Sequence, residues 1–307
     1  MTAPTVSIVV PTYQRAATVE RLLRSLIDAP PTTSFEIVVV DNASTDGTDA
    51  IVNSAAEHLP TLQYHRWPEN LGPLENWKRG IERASGEWLK IIWSDDWVEP
   101  DAIDRLVTTA VDRQATTVTC GARLHYENRT VDWYTKAISA LTPDCVVRSL
   151  LELPASLPAS PTAALVRRAT ALDGLRSVTL ADECSNSAIG PDVVLAYWGV
   201  FTGGTGVHIE EPLVNFGLPD DSITLSTRRG KLLGCYASSM WALIDASNAF
   251  VSDDTLRRLR HRGTFASLLG GTASVVPASR RFSIRAAAAD VSGLTRYAVA
   301  QRRKRTS

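Results

Sequence analysis

Acidic side chains stand at three points where this sequence changes between an apolar segment and a polar turn. The residues concerned are Asp41, the adjacent Asp95 and Asp96, and Asp192. Adjacent carboxylates repel each other unless a cation lies nearby, and oxygen ligands suit Mg²⁺ or Mn²⁺, which bridge protein carboxylates to substrate phosphates. A carboxylate near a reacting hydroxyl suits general-base chemistry. The same residue types also favour turns and helix starts, so the elements around them decide between the two interpretations.

Those elements follow a strand–helix alternation through the first half of the chain. Short β-branched runs at residues 6–10, 36–40, 62–67 and 87–93 alternate with helical apolar periods, which is typical of a parallel sheet covered by helices. Because the carboxyl ends of such strands form the ligand-binding edge of an open α/β sheet, Asp41 and Asp95 are expected at one edge.

The second half is less regular. Strands are predicted at residues 116–120, 123–126, 162–166, 207–209 and 213–216, with helices at 142–151 and 191–200. From Gly230 onward the pattern is helical. We therefore predict an α/β fold with a mainly parallel central sheet flanked by helices, organised as residues 1–229 and a helical, basic C-terminal extension at 230–307.

Composition places the chain among globular proteins. Of its 307 residues 44% are hydrophobic, no apolar run reaches 18 residues, and no basic segment precedes a signal-like core, so we expect a cytoplasmic protein. Residues 251–307 hold 12 Lys and Arg against 3 Asp and Glu, a net +9, and the remainder holds 20 against 30, a net −10. The basic end is compatible with contact to the inner face of an anionic membrane and equally with solvated helix faces.

The cysteines carry no pairing or metal motif. Cys120, Cys145, Cys184 and Cys235 are scattered, without a Cys-x-x-Cys pair. We predict four reduced, mostly buried thiols.

Four short motifs occur in a characteristic order. They lie at residues 9–15 (Val-Val-Pro-Thr-Tyr-Gln-Arg), 40–48 (Val-Asp-Asn-Ala-Ser-Thr-Asp-Gly-Thr), 70–72 (Asn-Leu-Gly) and 94–97 (Ser-Asp-Asp-Trp). The first contains no glycine-rich loop of dinucleotide or P-loop type. In this order and spacing the chain resembles family 2 glycosyltransferases over roughly residues 5–225. These are inverting enzymes of the GT-A fold, which transfer sugars from nucleotide diphosphate donors, so residues 1–229 are expected to form the catalytic domain.

The resemblance implies a nucleotide-sugar site. Pro11, Thr12 and Tyr13 would lie against the nucleoside, and Asp41 would accept a hydrogen bond from a ring N–H of uracil, thymine or guanine, for which an acceptor-only carboxylate is suited. The other residues that the resemblance places near the donor are Arg15, Asn42, Ser44, Asn70, Gly72, Asn76, Lys78, Ser94 and Asp96. Arg15 and Lys78 also fit as solvated surface cations, and the intervening Trp77 is predicted to pack in the core.

The resemblance also assigns a metal ligand. The family's acidic motif reads Asp-x-Asp-Asp, and here Trp93 stands in place of the first acid. Asp95 then matches the residue that binds Mg²⁺ or Mn²⁺. Asp96 is expected to orient the loop or to contact the donor.

The family's general base lies at the start of a late helix. Asp192, within Gly-Pro-Asp-Val-Val-Leu, matches it, although proline replaces the usual preceding acid. Asp182 and Glu183 are the nearest rivals. Residues 217–226 match a mobile loop that closes over donor and acceptor.

Several points stay open from the sequence. A sugar nucleotidyltransferase and a catalytically idle sugar-nucleotide-binding protein are the alternative functions. The expected partners are a UDP-, dTDP- or GDP-linked sugar and an unidentified hydroxyl acceptor, with no nucleic acid. The C-terminal helices would cover the acceptor site, pair with a second subunit in a homo-oligomer, or contact a membrane.

Overall fold

A single nine-stranded sheet organises the part of the chain that the computed structural model describes, residues 4–126, 128–152, 155–217 and 227–268. The strands are β1 Val6–Thr12, β2 Phe35–Asp41, β3 Leu62–Arg66, β4 Trp88–Ile91, β5 Trp97–Val98, β6 Thr117–Tyr126, β7 Arg129–Trp133, β8 Ala164–Arg167 and β9 Gly206–Gly217. The helices are α1 Ala16–Asp28, α2 Thr48–Ala56, α3 Pro73–Arg83, α4 Ala102–Asp112, α5 Pro143–Leu151, α6 Arg168–Ser177, α7 Asp182–Ser187, α8 Pro191–Phe201, α9 Arg229–Ser247 and α10 Asp253–Leu268, with a 3₁₀ turn at Pro161–Ala163.

The first half of the sheet is parallel. Strands β3, β2, β1 and β4 lie side by side in that order and run in one direction. All seven residues of β1 are buried, because helices cover both faces of this part of the sheet. The register places Thr12 beside Asp41, so the ends of β1 and β2 meet at one edge.

The second half is mixed. Strand β8 is antiparallel to β4 and β6, while β9 runs parallel to β6 and antiparallel to the two-residue β5. Strands β6 and β9 were each predicted as two shorter strands. Each is continuous in the structure, because a bulge at Gly121 absorbs extra residues of β9 without ending the pairing. A Cβ at Gly121 would lie 2.7 Å from the backbone oxygen of Glu210, so the bulge depends on glycine.

Two hydrophobic clusters cover the opposite faces of the sheet. One is built with α1, α2 and α4. The other joins α3 and α8 to the first helix of the C-terminal extension, since Cys235, Met240 and Trp241 of α9 pack with Val193 and Val194 of α8. Helix α9 therefore shares its core with the sheet domain.

The prediction of four reduced thiols is wrong for two of them. Cys184 of α7 and Cys235 of α9 form a disulfide, with Cα atoms 5.4 Å apart and a sequence separation of 51. Cys120 and Cys145 are free. The pairing depends on how α7 and α9 pack, which the cysteine spacing does not encode.

Two predicted features lie outside the described residues. They are nearly all of the 217–226 loop, of which Gly217 alone is described, and residues 269–307 of the predicted helical, basic extension. Among the helices that the structure describes, none combines the length and the apolar character that a membrane crossing requires.

Candidate active site at the sheet edge

Asp41 lies fully buried at the end of β2. Its Oδ1 accepts a hydrogen bond from the Ser44 backbone N–H at 2.8 Å, and its Oδ2 accepts one from the Tyr64 hydroxyl at 2.6 Å. Burial and the Asp41 carboxylate raise the pKa of Tyr64, so this hydroxyl stays a donor. Two donors thus fix the orientation of Asp41, while each carboxylate oxygen keeps a lone pair for another N–H. Tyr64 was not predicted as a site residue.

The turn after β1 is fastened to the turn after β2. The Gln14 backbone N–H donates to Ser44 Oγ at 2.8 Å, and the Thr45 N–H donates to Gln14 Oε1 at 2.8 Å. Tyr13 is 46% exposed between these contacts, and Arg15 is the residue that precedes α1. The turn residues predicted near a nucleoside therefore lie beside the Asp41 turn, with the Tyr13 ring accessible.

Asn42 fastens a third loop to the same edge. Its Nδ2 donates to Asn70 Oδ1 at 2.6 Å and to the Gly72 carbonyl at 3.1 Å, and its Oδ1 accepts from the Leu71 N–H at 3.1 Å. Gly72 has φ +85° and is the residue from which α3 starts, a conformation that favours glycine. The predicted Asn-Leu-Gly motif is thus held next to the ends of β1 and β2.

Thr12 Oγ1 and Asn76 Oδ1 are among the buried polar atoms at this edge that have no hydrogen-bond partner within the described residues. Asn76 extends from α3 and donates through Nδ2 to the Val40 carbonyl at 2.9 Å, and Lys78 lies two residues further along this helix, half-buried. Because buried polar groups are nearly always paired in folded proteins, these two atoms are available to a ligand.

The acidic motif follows β4. Ser94 and Asp96 are buried, whereas Asp95 is half-buried. Asp96 Oδ1 accepts from the Gly217 N–H at 3.1 Å, and the Asp95 carbonyl accepts from Arg21 Nη2 at 2.6 Å. Burial, together with the Asp95 charge, raises the pKa of Asp96 well above its ordinary value. The pair therefore carries a repulsion that a bound cation would relieve.

Trp93, at the position of the family's first acid, packs against the hydrophobic core. Its ring contacts the Trp77 ring with centroids 4.2 Å apart, and both join the core under α3. Trp77 is buried, as predicted. Among the described residues, no group of three or more Asp, Glu, His or Cys side chains is arranged to hold a metal ion.

A fully buried lysine, Lys90, lies in β4 and was missed by the sequence reasoning. Its Nζ donates to the carbonyls of Thr162 and Ala164, and burial lowers its pKa to about 8. The Thr162 hydroxyl in turn accepts from the Trp93 N–H at 3.1 Å. Lys90 therefore anchors the 3₁₀ turn next to the strand that leads into the acidic motif. A charged residue inside an apolar run was the available signal.

Asp192 lies at the start of α8 and is 8% exposed. Its Oδ1 accepts from the backbone N–H groups of Gly190 and Val193 at 2.8 and 2.9 Å, and its Oδ2 accepts from the Tyr236 hydroxyl at 3.1 Å. Burial raises the pKa of Asp192 to about 6. A carboxylate with that pKa is ionised at neutral pH yet basic enough to take a proton efficiently. The rival Asp182 is exposed at the start of α7.

The structure brings most predicted site residues into two groups. The turns after β1 and β2, the Asn70 loop and Asn76 are joined by hydrogen bonds, and the Ser94–Asp96 segment forms a second group with Arg21. Within the described part of the chain, Asp192 accepts hydrogen bonds from Gly190, Val193 and Tyr236, which belong to neither group.

Residues 7–172 match the model of the family described as glycosyl transferase family 2, which covers more than half of the chain. The chain belongs to glycosyltransferase family 2. Curated relatives of this family 2 chain include abequosyltransferase RfbV of Salmonella typhimurium, 33% identical over 118 residues, and succinoglycan biosynthesis protein ExoO of Rhizobium meliloti, 36% identical over 107 residues. These matches cover 38% and 35% of this chain and 35% and 30% of the relatives. The chain thus spans about a third of the length of the curated relatives that it matches.

Solved structures with the same fold cover far more of the family 2 chain. S. aureus TarS 1-349 in complex with UDP-GlcNAc aligns with a TM-score of 0.63 at 19% identity, over 85% of this chain and 72% of that chain. Mannosyltransferase PcManGT from Pyrobaculum calidifontis, in complex with GDP-Man and Mn²⁺, aligns with a TM-score of 0.57 at 19% identity, over 96% and 81%. The predicted α/β fold of GT-A type is confirmed.

Proposed function

We propose that this family 2 chain transfers a glycosyl group from a nucleotide-diphosphate sugar to an acceptor hydroxyl, with inversion at the anomeric carbon. The observation that carries the proposal is the clustering of the Asp41 turn, the unpartnered atoms of Thr12 and Asn76 and the adjacent Asp95 and Asp96 at one sheet edge. The fold relatives support the ligand class, since TarS was solved with UDP-GlcNAc and PcManGT with GDP-Man.

In this proposal the Asp41 turn recognises the base. The buried carboxylate, fixed by Ser44 and Tyr64, accepts a ring N–H of uracil, thymine or guanine in a charge-assisted hydrogen bond. The exposed Tyr13 ring packs against the nucleoside. The donor is therefore a UDP-, dTDP- or GDP-linked sugar.

The residues of the acidic motif fit a divalent cation. Oxygen ligands suit Mg²⁺ or Mn²⁺. Burial raises the pKa of Asp96 most, and the Asp95 charge raises it further; a bound cation would relieve this second, repulsive contribution. Asp95 would supply the ligand, and Asp96 holds the end of β9 through Gly217. A cation bound there would neutralise charge on the departing nucleotide diphosphate.

Asp192 acts as the general base. Its carboxylate takes the proton from the acceptor hydroxyl as the acceptor oxygen bonds to the anomeric carbon, and the bond from that carbon to the diphosphate oxygen breaks with its electron pair leaving on the diphosphate. Because the incoming oxygen attacks opposite the leaving group, the configuration inverts. With a pKa of about 6 the base is ionised through the neutral range.

The test combines binding and turnover. A thermal-shift screen of UDP, dTDP and GDP, with and without Mn²⁺, should identify one preferred nucleotide, because a bound ligand raises apparent stability by mass action. Asp192→Asn should keep that shift while kcat falls by about two to four orders of magnitude. Asp182→Asn, at the exposed rival, is the matched control and should keep wild-type turnover. Full activity in Asp192→Asn would remove it from the role, and the absence of donor hydrolysis and transfer with many acceptors would favour an idle binding protein.

A further inference from the structure

The two oxygens of the Asp192 carboxylate are held by different parts of the chain. Oδ1 accepts two backbone N–H groups from the start of its own helix, those of Gly190 and Val193. Oδ2 accepts the hydroxyl of Tyr236, which belongs to α9 in the C-terminal extension, 44 residues further along. A side chain from the extension thus contacts the oxygen that the backbone leaves available.

The position of Tyr236 is fixed by its neighbours. Cys235 forms the disulfide with Cys184 of α7, the helix that leads into the Gly190 turn. On the next turn of α9, Ser239 packs so closely on Gly190 that a Cβ there would lie 2.1 Å from its Oγ. The turn that carries Asp192 and the helix that carries Tyr236 are therefore held together at two points.

We propose that Tyr236 is a positioning residue for the general base, and that the Cys184–Cys235 disulfide keeps its hydroxyl on Asp192 Oδ2. The inference rests on the proposed function, in which Asp192 accepts the proton. Donation from Tyr236 occupies one lone pair of Oδ2 and leaves the other for the acceptor hydroxyl. The bond also stabilises the ionised carboxylate relative to its acid form, so that the base stays charged at lower pH.

The Tyr236 hydroxyl can donate this hydrogen bond to Asp192 throughout the working range of pH. Burial and the Asp192 charge raise the pKa of Tyr236 well above its ordinary value, so it remains a protonated donor. On α8 itself, burial and nearby charges that include Asp192 raise the pKa of Tyr197 well above its ordinary value, so this hydroxyl stays uncharged. Three charged groups on other elements that contact α8 have partners of their own. Arg167 of β8 pairs with Glu87, Asp173 of α6 accepts from Trp198 Nε1, and Asp144 of α5 pairs with Arg148.

The test is the pH profile of Tyr236→Phe, which keeps the ring and removes the hydroxyl. Loss of a hydrogen bond to a charged group should lower kcat about tenfold and move the acidic limb of the kcat profile up by about one pH unit, with the donor KM unchanged. Tyr197→Phe is the matched control. Its hydroxyl donates to the Pro158 carbonyl at 2.6 Å and not to Asp192, so its acidic limb should stay in place.

An acidic limb in Tyr236→Phe that coincides with the wild-type limb overturns the inference. If Asp192→Asn abolishes turnover while Tyr236→Phe behaves as wild type, the inference alone fails; if Asp192→Asn is active, the proposed function fails. Should Tyr236→Phe not fold, the wild-type enzyme is assayed after excess dithiothreitol has reduced the disulfide to two thiols and has itself become the cyclic disulfide. Loss of the disulfide should loosen the contact of Tyr236 with Asp192 and move the limb in the same direction, and an unmoved limb overturns the proposal.

Discussion

Replacement of Lys90 by methionine should remove a pH dependence of folding stability that the structure assigns to this one ammonium group. Lys90 is fully buried, and burial lowers its pKa from the ordinary 10.5 to about 8 in the folded state. Below pH 8 both folded and unfolded chains carry the proton, so the folded state bears the whole cost of the buried charge. Between the two pKa values only the unfolded chain is protonated, and stability rises with pH.

The size of the effect follows from the two pKa values. The lowering of the Lys90 pKa from 10.5 to about 8 on folding corresponds to a destabilisation of about 3 kcal/mol at neutral pH. Roughly 2 kcal/mol of it disappears by a pH near 9.5, where the folded-state amine is already neutral. Methionine has a similar length and no charge, so the variant lacks this contribution at every pH.

The assay is denaturant unfolding of wild type and Lys90→Met at pH 7 and at a pH near 9.5. Other titrating groups affect both proteins alike, so the difference between their free energies of unfolding should shift by about 2 kcal/mol in favour of wild type as the pH rises. Lys136→Met, at an exposed lysine, should show no such shift. A Lys90→Met difference that is the same at both pH values would refute the assignment of a buried, perturbed ammonium.

Three further changes test other contacts. Tyr64→Phe removes a donor to Asp41 Oδ2, so it should raise the dissociation constant of the preferred nucleotide diphosphate about tenfold, as measured by calorimetry. An unchanged dissociation constant in a folded variant would contradict a role for Tyr64 and Asp41 in base binding. Cys184→Ser should lower the free energy of unfolding by about 4 kcal/mol, the loop-closure value for a 51-residue separation, and reduced wild type should unfold like the variant. Gly217→Ala would put a Cβ 2.1 Å from the Asp95 carbonyl oxygen, so it should lower the free energy of unfolding by about 1–3 kcal/mol. It should also weaken any Mn²⁺-dependent thermal shift. A wild-type melting temperature would show that the backbone around Asp95 can move to accept the methyl group.

The parallel half of the sheet could be predicted because its strands are buried on both faces and therefore appear as β-branched runs. Strands β6 and β9 were divided at the bulge, since Gly121 interrupts the pattern without interrupting the pairing. Strand β5 has two residues, too few for any periodicity. The local sequence pattern thus predicts strands that are buried along their whole length. It does not predict the ends of strands whose length is decided by pairing with distant parts of the chain.

The candidate site divides in the same way. Thr12 and Asp41 end their strands and Asp95 follows one, so their common edge could be derived from topology. The contacts of Tyr64 with Asp41 and of Tyr236 with Asp192 join residues 23 and 44 positions apart, and neither tyrosine stands in a motif. The disulfide was missed for the same reason, because only the packing of α7 and α9 brings its two cysteines together.

The position of Tyr236 has a consequence for a chain that is still being synthesised. In the proposed function, the donor edge is built from residues that precede position 100. The 3₁₀ turn at Pro161–Ala163 and Gly217 at the end of β9 support its acidic motif. The hydroxyl that holds the base emerges from the ribosome more than seventy residues after that turn. A chain that stops before α9 lacks both the Tyr236 hydroxyl and the side chains that α9 adds to the core around α8. In the proposed function, the base is therefore positioned only after the donor edge has been synthesised.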